Sequence, residues 1–313
     1  MPGTMRVVRQ EEFGGPGVLR LAEAERPEPM GTEVLVRVRA AGVNPVDWVT
    51  RAGDGYLTSF PMTVGWDISG VVEEAGLGVT RFAPGDEVFG MPWFPREAAA
   101  YAEYVTAPSR QLARKPPGLS HPEAAGLPMA GLTAWQVLVD TAAVAPGQRV
   151  LITGAAGGVG HLAVQIAKAR GAYVIGTASA AKHAFVRGLG ADEVIDYTRT
   201  EPAAAVSDLD VVFDPVGGAD ARSWLPVIRP GGILLPFRAG DSEELASLVA
   251  GTHVRAALVL VEPDGHALES LAELAATGKL RVHIDTTLPL ANAAKAHEIG
   301  ERGRTTGKIV LTT

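Results

Sequence analysis

Hydrophobic and polar residues alternate along several short stretches of the first third of the chain. In Glu33–Arg39, apolar and charged side chains alternate with the period of a strand that has one buried face. Ile68–Glu74 and Asp86–Phe89 are predicted as further strands, and a Pro-Gly turn separates them. One early helix is predicted at residues 44–51, where Asn44 caps the helix start before a proline. This part of the chain therefore predicts a β-rich domain.

From Arg149 onward the pattern changes to apolar strand runs that alternate with amphipathic helices, which is typical of βαβ units and a parallel sheet. The predicted strands are Val150–Thr153, Tyr173–Gly176, Glu193–Asp196, Asp210–Phe213, Ile233–Pro236 and Val254–Val261. The predicted helices are Val159–Arg170, Ala180–Leu189, Ala219–Ile228, Ser242–Val249 and Ala267–Thr277. Six such strands make a complete doubly wound sheet, so this part predicts a Rossmann fold.

The last residues return to strand-like alternation at Val282–Asp285 and Lys308–Leu311. We expect this tail to rejoin the first domain. The prediction is a discontinuous domain of residues 1–122 and 280–313, with residues 123–279 as the second domain.

A glycine-rich turn follows the first predicted strand of the second domain. Measured against G-x-G-x-x-G, the frame falls on Ala155, Gly157 and Gly160, with Gly154 just before it. A glycine at 157 lets the backbone approach a pyrophosphate, and one at 160 lets the helix pack closely on the strand. Backbone N–H groups at the helix start, which includes Gly158 and Val159, would then face the phosphates. The strand before and the helix after favour a dinucleotide site.

The end of the second strand indicates which dinucleotide binds. A carboxylate about 20 residues after the turn would hold the ribose of NAD, but residues 176–182 contain no Asp or Glu. Ser179 and Lys182 suit a 2′-phosphate instead, which favours NADP(H). The alternative is that Lys182 is a solvated side chain in the first turn of a helix.

Composition excludes several classes of function. The chain has 313 residues with 28 Lys and Arg against 35 Asp and Glu, so its net charge of −7 gives no basic surface for nucleic acid. It has no cysteine, which excludes disulfides, thiolate nucleophiles and cysteine-ligated zinc. Its seven histidines show no pair at metal-ligand spacing, so no metal site is predicted. The N-terminus lacks an apolar signal core and no stretch is long enough to span a membrane, so we expect a soluble cytoplasmic protein.

Several motifs together resemble the zinc-independent quinone oxidoreductase branch of the medium-chain dehydrogenase/reductase superfamily. They are Ala41–Asp47, Arg51–Gly53, Gly65–Gly70, Pro84–Asp86, Gly131–Trp135, the glycine turn and Thr306–Leu311. The resemblance implies a GroES-like β-rich catalytic domain and a Rossmann domain. Asn44 and Trp66 stand where the zinc-dependent alcohol dehydrogenases carry a ligand cysteine and histidine, in agreement with the missing cysteines.

The resemblance also implies roles for individual residues. Asn44 would lie beside the nicotinamide, and Asp47 would take a catalytic position, although an Asp at a helix start is also a common cap. Tyr56 would lie near the quinone site, or would be an ordinary loop aromatic. Thr133 would lie near the nicotinamide and phosphates. Tyr197 would pack at the 2′-phosphate, or would simply cover the sheet edge.

Four further residues are predicted to contact the cofactor. Asp214 ends the fourth strand, where the sheet order switches and a ribose would lie. Phe237 and Arg238 follow the fifth strand at the same edge, and Lys308, before the last strand, is expected to reach the cofactor from the catalytic domain. For each of them a packing or surface role is an equal alternative.

The leading interpretation is an NADPH-dependent reductase that transfers hydride to a quinone or an activated alkene such as an enone or enal. One alternative is an enoyl-type reductase of a biosynthetic pathway. Another is an NADP-binding redox sensor without turnover, because fold alone does not establish catalysis. A homodimer formed through Val254–Val261 is also expected.

Overall fold

A computed structural model describes residues 3–217, 221–237 and 242–313 of the chain. Its contacts divide the chain into two compact units. The first unit combines Met1–Leu132 with Glu262–Thr313, and the second is Thr133–Val261. Of the predicted site residues and their neighbours, only Arg238 lies outside the described residues.

The secondary structure is mixed. The described residues form fifteen strands: β1 (Thr4–Arg9), β2 (Arg20–Glu25), β3 (Glu33–Val43), β4 (Asp67–Ala75), β5 (Glu87–Gly90), β6 (Tyr104–Pro108), β7 (Leu112–Arg114), β8 (Arg149–Ile152), β9 (Tyr173–Thr177), β10 (Glu193–Ile195), β11 (Leu209–Asp214), β12 (Ile228–Pro236), β13 (Arg255–Ala256), β14 (Ile284–Pro289) and β15 (Lys308–Thr312). Their α-helices are α1 (Pro45–Ala52), α2 (His121–Ala125), α3 (Pro128–Trp135), α4 (Gly160–Ala169), α5 (His183–Gly188), α6 (Ser242–Val249), α7 (Gly265–Ala276) and α8 (Ala293–Glu301).

The second unit contains a six-stranded sheet in the order β10-β9-β8-β11-β12-β13, and every neighbouring pair in it is parallel. Counted along the chain this order is 3-2-1-4-5-6, the arrangement of a Rossmann fold. Strands of such a sheet are buried on both faces, which explains their unbroken runs of apolar residues. Leu151, Ile175, Val212 and Leu234 form the centre of its core, and each is fully buried. The predicted doubly wound sheet is confirmed.

The first unit contains the β-rich fold. One sheet runs in the order β14-β15-β3-β4-β5-β7 with β6 paired to β3, and β1 and β2 form a separate antiparallel pair. β15 pairs directly with β3, so the C-terminal tail does rejoin the N-terminal part as predicted.

β3 carries the residues that precede the candidate site. It extends to Val43, four residues beyond the predicted end at Arg39, because Ala40–Val43 pair with β15. A Cβ on Gly42 would lie 2.3 Å from the carbonyl oxygen of Ala125 in α2, so this position requires a residue without a side chain. The close packing fixes where β3 ends and α1 begins.

The boundaries of the two units differ from the predicted domain limits at 122/123 and 279/280. α7 lies in the first unit, although its amphipathic pattern follows the strand–helix series of the second. A Cβ on Gly265 would meet the carbonyl oxygen of Arg110 at 2.3 Å, and one on Gly131 would meet Leu271 at 3.0 Å. An amphipathic pattern shows that a helix has a buried face but does not identify the sheet that covers it.

Candidate functional site

The glycine turn lies between β8 and α4, as predicted. Gly154 has φ = +55°, a left-handed conformation that favours glycine. A Cβ on Gly160 would lie 2.2 Å from the Gly154 carbonyl oxygen, so the helix begins in direct contact with the turn. A Cβ on Gly157 would meet only that same oxygen, at 3.2 Å, which leaves the space over Gly157 open. The turn therefore has room for a pyrophosphate beside the N-terminus of a ten-residue helix.

Ala155, the first position of the glycine frame, is fully buried, and its N–H donates to the Thr177 carbonyl at 3.0 Å. This bond connects the turn to the end of β9. The Gly157 N–H donates to the Gly154 carbonyl at 2.8 Å and closes the turn on itself. The outer N–H groups that remain for a ligand are those at the first helical positions, around Gly158, Val159 and Gly160.

The chain after β9 contains the residues predicted for the 2′-phosphate. Ser179 precedes a short 3-10 turn, Ala180–Lys182, and accepts the Lys182 N–H at its carbonyl oxygen. The side chains of Ser179 and Lys182 are half-buried, and Tyr197, just beyond β10, is 56% exposed. Asp196 lies beside Tyr197, but its Oδ1 accepts from the N–H and hydroxyl of Thr198 within its own turn.

Asp214 links two strand ends of the same sheet edge. It ends β11, is 3% exposed, and accepts the Thr153 hydroxyl and the Gly217 N–H on Oδ1. The Phe237 N–H donates to the Asp214 carbonyl at 2.9 Å, and its ring is 48% exposed. Thr133, the first residue of the second unit, is buried.

The first unit brings Asn44 and Lys308 together around Asp67, which the sequence analysis did not assign to the site. The Asn44 side chain donates to Asp67 Oδ2 at 2.8 Å, and the Lys308 ammonium donates to Asn44 Oδ1. Lys308 Nζ also donates to the Val43 carbonyl at 3.1 Å and lies 3.8 Å from Asp67 Oδ2. The Met129 N–H donates to the other Asp67 oxygen at 2.8 Å. These contacts determine the orientation of the Asn44 amide.

Asn44 occupies the predicted N-cap position of α1, in a capping box with Asp47, and its side-chain amide also bonds to Asp67 and Lys308. Asp47 makes the local contact, because its Oδ2 accepts the Asn44 backbone N–H at 2.8 Å. The same oxygen accepts the Tyr101 hydroxyl, also at 2.8 Å. Asp47 therefore stabilises the helix start, and it also lies beside Asn44 and Tyr101.

We call the five residues that these contacts connect the Asn44 cluster: Asn44, Asp47, Asp67, Tyr101 and Lys308. Burial determines which of them carry a charge. Burial raises the pKa of Asp47 to about 7, although hydrogen bonds from Asn44 and Tyr101 oppose the shift. Burial also raises the pKa of Asp67 and lowers that of Lys308, while the two opposite charges partly offset these shifts. Desolvation and the nearby Asp47 raise the pKa of Tyr101 well above its usual value, so its hydroxyl keeps its proton.

Tyr56 belongs to a different side-chain group. Its ring is 46% exposed and packs edge-to-face on Phe94 at 5.3 Å, and Phe94 packs on the fully buried Trp66 at 5.4 Å. The Trp66 indole N–H donates to the Arg96 carbonyl at 2.6 Å. Tyr56 is thus the exposed end of a row of three aromatic rings.

The sequence analysis did not assign Asp67 or Tyr101, nor His297, whose Nε2 lies 3.1 Å from the Tyr101 hydroxyl oxygen. One signal was present: Asp67 lies between the apolar residues Trp66 and Ile68, and a charged residue in such a position requires buried partners. Within the described residues, no group of three or more His, Cys, Asp or Glu side chains is arranged to hold a metal ion. No helix in the described ranges is long and apolar enough to cross a membrane.

Comparison with known proteins supplies the context for this geometry. Two family models match the chain, "Alcohol dehydrogenase GroES-like domain" over residues 30–117 and "Zinc-binding dehydrogenase" over residues 189–311. The mouse mitochondrial NAD(P)H oxidoreductase RTN4IP1 is 34% identical, over 89% of this chain and 81% of its own length. The spinach chloroplastic quinone-oxidoreductase homolog is 34% identical over 95% of both chains. The tomato 2-methylene-furan-3-one reductase is 32% identical, over 99% of this chain and 80% of its own.

Solved structures agree. The quinone oxidoreductase from Coxiella burnetii has a TM-score of 0.94 at 36% identity, covering 99% of this chain and 100% of its own. The Escherichia coli quinone oxidoreductase in complex with NADPH has a TM-score of 0.87 at 27% identity, covering 99% and 100%.

Proposed function

Because this chain belongs to the quinone oxidoreductase branch of the medium-chain dehydrogenase/reductase superfamily, we propose that it is an NADPH-dependent reductase of quinones or activated alkenes. Its relatives include proteins named NAD(P)H oxidoreductases and a quinone oxidoreductase solved with NADPH, which supports a nicotinamide cofactor. The proposal adds the choice of NADPH and the class of substrate.

The observation that carries the proposal is the glycine turn followed by a strand end without a carboxylate. The open space over Gly157 and the start of α4 suit a pyrophosphate. Residues 176–182 contain no Asp or Glu, but they include Ser179 and Lys182. A 2′-phosphate adds about two negative charges, which a lysine attracts and a carboxylate would repel.

The proposed cofactor contacts follow the edge of the parallel sheet. The backbone of Ala155–Gly160 would bind the pyrophosphate, with Ser179, Lys182 and Tyr197 at the 2′-phosphate. Thr133, Asp214 and Phe237 would line the ribose and nicotinamide part. When bound, the nicotinamide supplies the hydride.

The Asn44 cluster would serve the reacting end. An amide has two donor hydrogens and an acceptor oxygen, so the Asn44 side chain can orient the nicotinamide or a substrate oxygen. Asp67 and Lys308 hold that amide in one orientation, and Asp47 holds its backbone. Preorganised donors of this kind stabilise the negative charge that develops on a reduced oxygen. The exposed ring of Tyr56 offers a flat apolar surface to a quinone.

The substrate class rests on the relatives, whose names include quinone oxidoreductases and a 2-methylene-furan-3-one reductase. Quinones and enones share an alkene conjugated to a carbonyl, so one site can reduce both by hydride addition and protonation. We expect purified protein to consume NADPH with 1,4-benzoquinone and with simple enones and enals. Consumption with enoyl thioesters alone would favour the biosynthetic enoyl reductase, and tight NADPH binding without any consumption would favour the redox sensor.

Assembly and location are further proposals. β13 ends at Ala256, and in the irregular run that follows it to Val261 the side chain of Leu260 is 55% exposed. We expect a homodimer through this segment, which light scattering on the purified protein tests. A cytoplasmic location stays a prediction, because relatives of this chain include mitochondrial and chloroplastic proteins.

A further inference from the structure

A chain of hydrogen bonds connects Asp47 to side chains beyond the Asn44 cluster. The Tyr101 hydroxyl lies 2.8 Å from Asp47 Oδ2 and 3.1 Å from His297 Nε2. His297 Nδ1 lies 3.2 Å from Nη1 of Arg51, and Nη2 of Arg51 donates to Glu301 at 2.7 Å. Tyr101 and His297 are fully buried, so water does not compete for these contacts.

The direction of every hydrogen bond in this chain is determined by chemistry. A guanidinium group only donates, so His297 Nδ1 must be an acceptor and the ring proton lies on Nε2. Burial and the neighbouring Arg51 charge lower the pKa of His297 to about 3, which keeps the ring neutral. His297 Nε2 therefore donates to the Tyr101 oxygen. Because a phenol has a single hydrogen, Tyr101 must donate it to Asp47.

The two oxygens of Asp47 have different environments. Oδ2 accepts two hydrogen bonds, from the Tyr101 hydroxyl and the Asn44 backbone N–H. Oδ1 is buried and has no hydrogen-bond partner among the described residues. A buried anionic oxygen without a partner is costly, and a proton on Oδ1 neutralises the charge.

We propose that Tyr101 and His297, oriented by Arg51, are positioning residues of the reductase. They hold Asp47 through Oδ2 and leave Oδ1 as the atom that binds its proton. In this way they control how firmly Asp47 holds the backbone of Asn44. Ionised Asp47 accepts both hydrogen bonds strongly, whereas protonated Asp47 accepts them weakly. The geometry of Asn44 would therefore depend on pH around the pKa of Asp47, near 7.

Other charged groups around Asp47 act on the same equilibrium. Desolvation and Asp67 in β4 favour the protonated form, and Lys308 in β15 favours the ionised form. Arg51 lies one turn further along α1, and Tyr101 and His297 approach from the segment before β6 and from α8. Tyr101 differs from Asp67, Lys308 and Arg51 because its hydroxyl can be removed without changing the charge of the site.

Carbon-13 NMR of the carboxyl carbons, in protein labelled at aspartate, measures the titration directly, and Asp47→Asn identifies the signal. In Tyr101→Phe the anion loses a donor, so we expect the acid dissociation constant of Asp47 to fall about tenfold or more. His297→Leu should lower it in the same direction by less, because Tyr101 then donates less strongly. His297→Gln keeps an amide donor and should restore behaviour close to wild type.

Tyr104→Phe is the matched control. This tyrosine lies in the same unit, and its ring is covered by Arg26 at 4.3 Å, so the same hydroxyl is removed elsewhere. The proposal is wrong if Asp47 titrates alike in Tyr101→Phe, His297→Leu and Tyr104→Phe. It is also wrong if nitrogen-15 NMR of wild-type protein shows the His297 proton on Nδ1, or a charged ring, at neutral pH.

The rate measurement links this inference to the proposed function, on which its catalytic part rests. We expect kcat/KM for quinone reduction to rise with pH as Asp47 ionises, and the rise to move to higher pH in Tyr101→Phe. Shifted NMR titrations without any reductase activity would overturn the proposed function and leave the hydrogen-bond chain intact. Unshifted NMR titrations in an active reductase would overturn the chain alone.

Discussion

Asp47 and His297, which both contact the Tyr101 hydroxyl, make the stability of the protein depend on pH in opposite directions. Burial raises the pKa of Asp47 from 3.8 to about 7 and lowers that of His297 from 6.5 to about 3. The folded state holds the Asp47 proton more tightly than the unfolded chain, so unfolding releases it and this contribution to stability decreases as pH rises from about 4 to 7. For His297 the unfolded chain holds the proton more tightly, so its contribution increases as pH rises over a similar range.

Comparison with Asp47→Asn isolates the carboxyl, because the His297 contribution is common to both proteins. We expect the difference in free energy of unfolding, wild type minus variant, to fall by on the order of 1–4 kcal/mol between pH 4 and 8. Urea unfolding at a series of pH values measures it. A difference that is constant or grows with pH would mean that Asp47 stays ionised in the folded protein.

For individual residues, the sequence indicated which side chains belong to the Asn44 cluster better than it indicated their contacts. Asn44, Asp47 and Lys308 came from the family motifs, and the structure brings them into one cluster. Asp67 lies within the motif Gly65–Gly70, but the sequence analysis assigned it no role, and His297 lies in none of the motifs. Lys308 meets Asn44 across 264 positions of the chain, a contact that only the pairing of β15 with β3 creates.

Among the elements, the strand–turn–helix around the glycines was predicted most fully, because every requirement is local. A Cβ at Gly160 would clash with backbone, at 2.2 Å from the Gly154 oxygen and 2.8 Å from Ala155 Cα. A Cβ at Gly157 would meet one atom, at 3.2 Å. Gly160 is therefore required for the close packing of the helix on the turn, and Gly157 leaves space for a ligand.

We expect Gly160→Ala to destabilise the protein by about 1–3 kcal/mol or more, through overpacking. Gly157→Ala should leave stability nearly unchanged. It should weaken NADPH binding by roughly 10- to 150-fold, because the added Cβ would hold the pyrophosphate away from the N–H groups at the start of α4 and so cost a charge-assisted hydrogen bond. Gly188→Ala, at the end of α5 with nothing within 4 Å of its Cβ, is the control for the same change. Urea unfolding and fluorescence titration measure both quantities. Equal stability losses at 157 and 160 would refute the division of roles.

The element after β9 sets the cofactor preference in our proposal. One lysine contact to a 2′-phosphate is worth about 1.5–3 kcal/mol, so Lys182→Ala should weaken NADPH roughly 10- to 150-fold. NADH should be almost unaffected, and the preference should shrink as salt rises because Lys182 is only half-buried. Lys279→Ala, which removes a lysine from the first unit, is the charge-matched control. Equal affinities of wild type for both cofactors, or equal losses in the variant, would remove Lys182 from the phosphate site.

Elements whose form depends on distant partners were predicted less well. Residues 219–228 have helical periodicity, but Ala221–Val227 form a 3-10 helix with Pro226 inside it, where an α-helix would lose a hydrogen bond. Residues 219 and 220 of that predicted helix lie outside the described part of the chain. Only Arg255–Ala256 of the predicted strand Val254–Val261 pair with β12. An apolar run indicates burial, and its hydrogen-bond partners decide whether it forms a strand.

For the whole molecule, the fold class followed from the order of elements and the boundaries did not. The change from period-2 alternation to alternating strands and helices predicted a β-rich unit followed by a Rossmann unit, and both are present. α7 was the misleading element, because its sequence continues the βαβ pattern while its contacts are to the first unit. Contacts between segments far apart in sequence determine such boundaries.

The whole protein should be active without zinc, although one matching family model carries the description of zinc-binding dehydrogenases. The argument rests on the donors present. The chain has no cysteine, and at the two positions where zinc-dependent relatives carry ligands it has Asn44 and Trp66. The Asn44 oxygen accepts from the Lys308 ammonium, whose charge would repel a divalent cation, and the Trp66 indole has only a donor, which bonds to the Arg96 carbonyl. Zinc requires thiolate, imidazole or carboxylate ligands in a tetrahedral set.

We expect purified protein to contain no stoichiometric zinc by elemental analysis, and its NADPH-dependent activity to be unchanged after dialysis against EDTA. Activity lost to the chelator and restored by zinc, but not by magnesium, would refute this prediction.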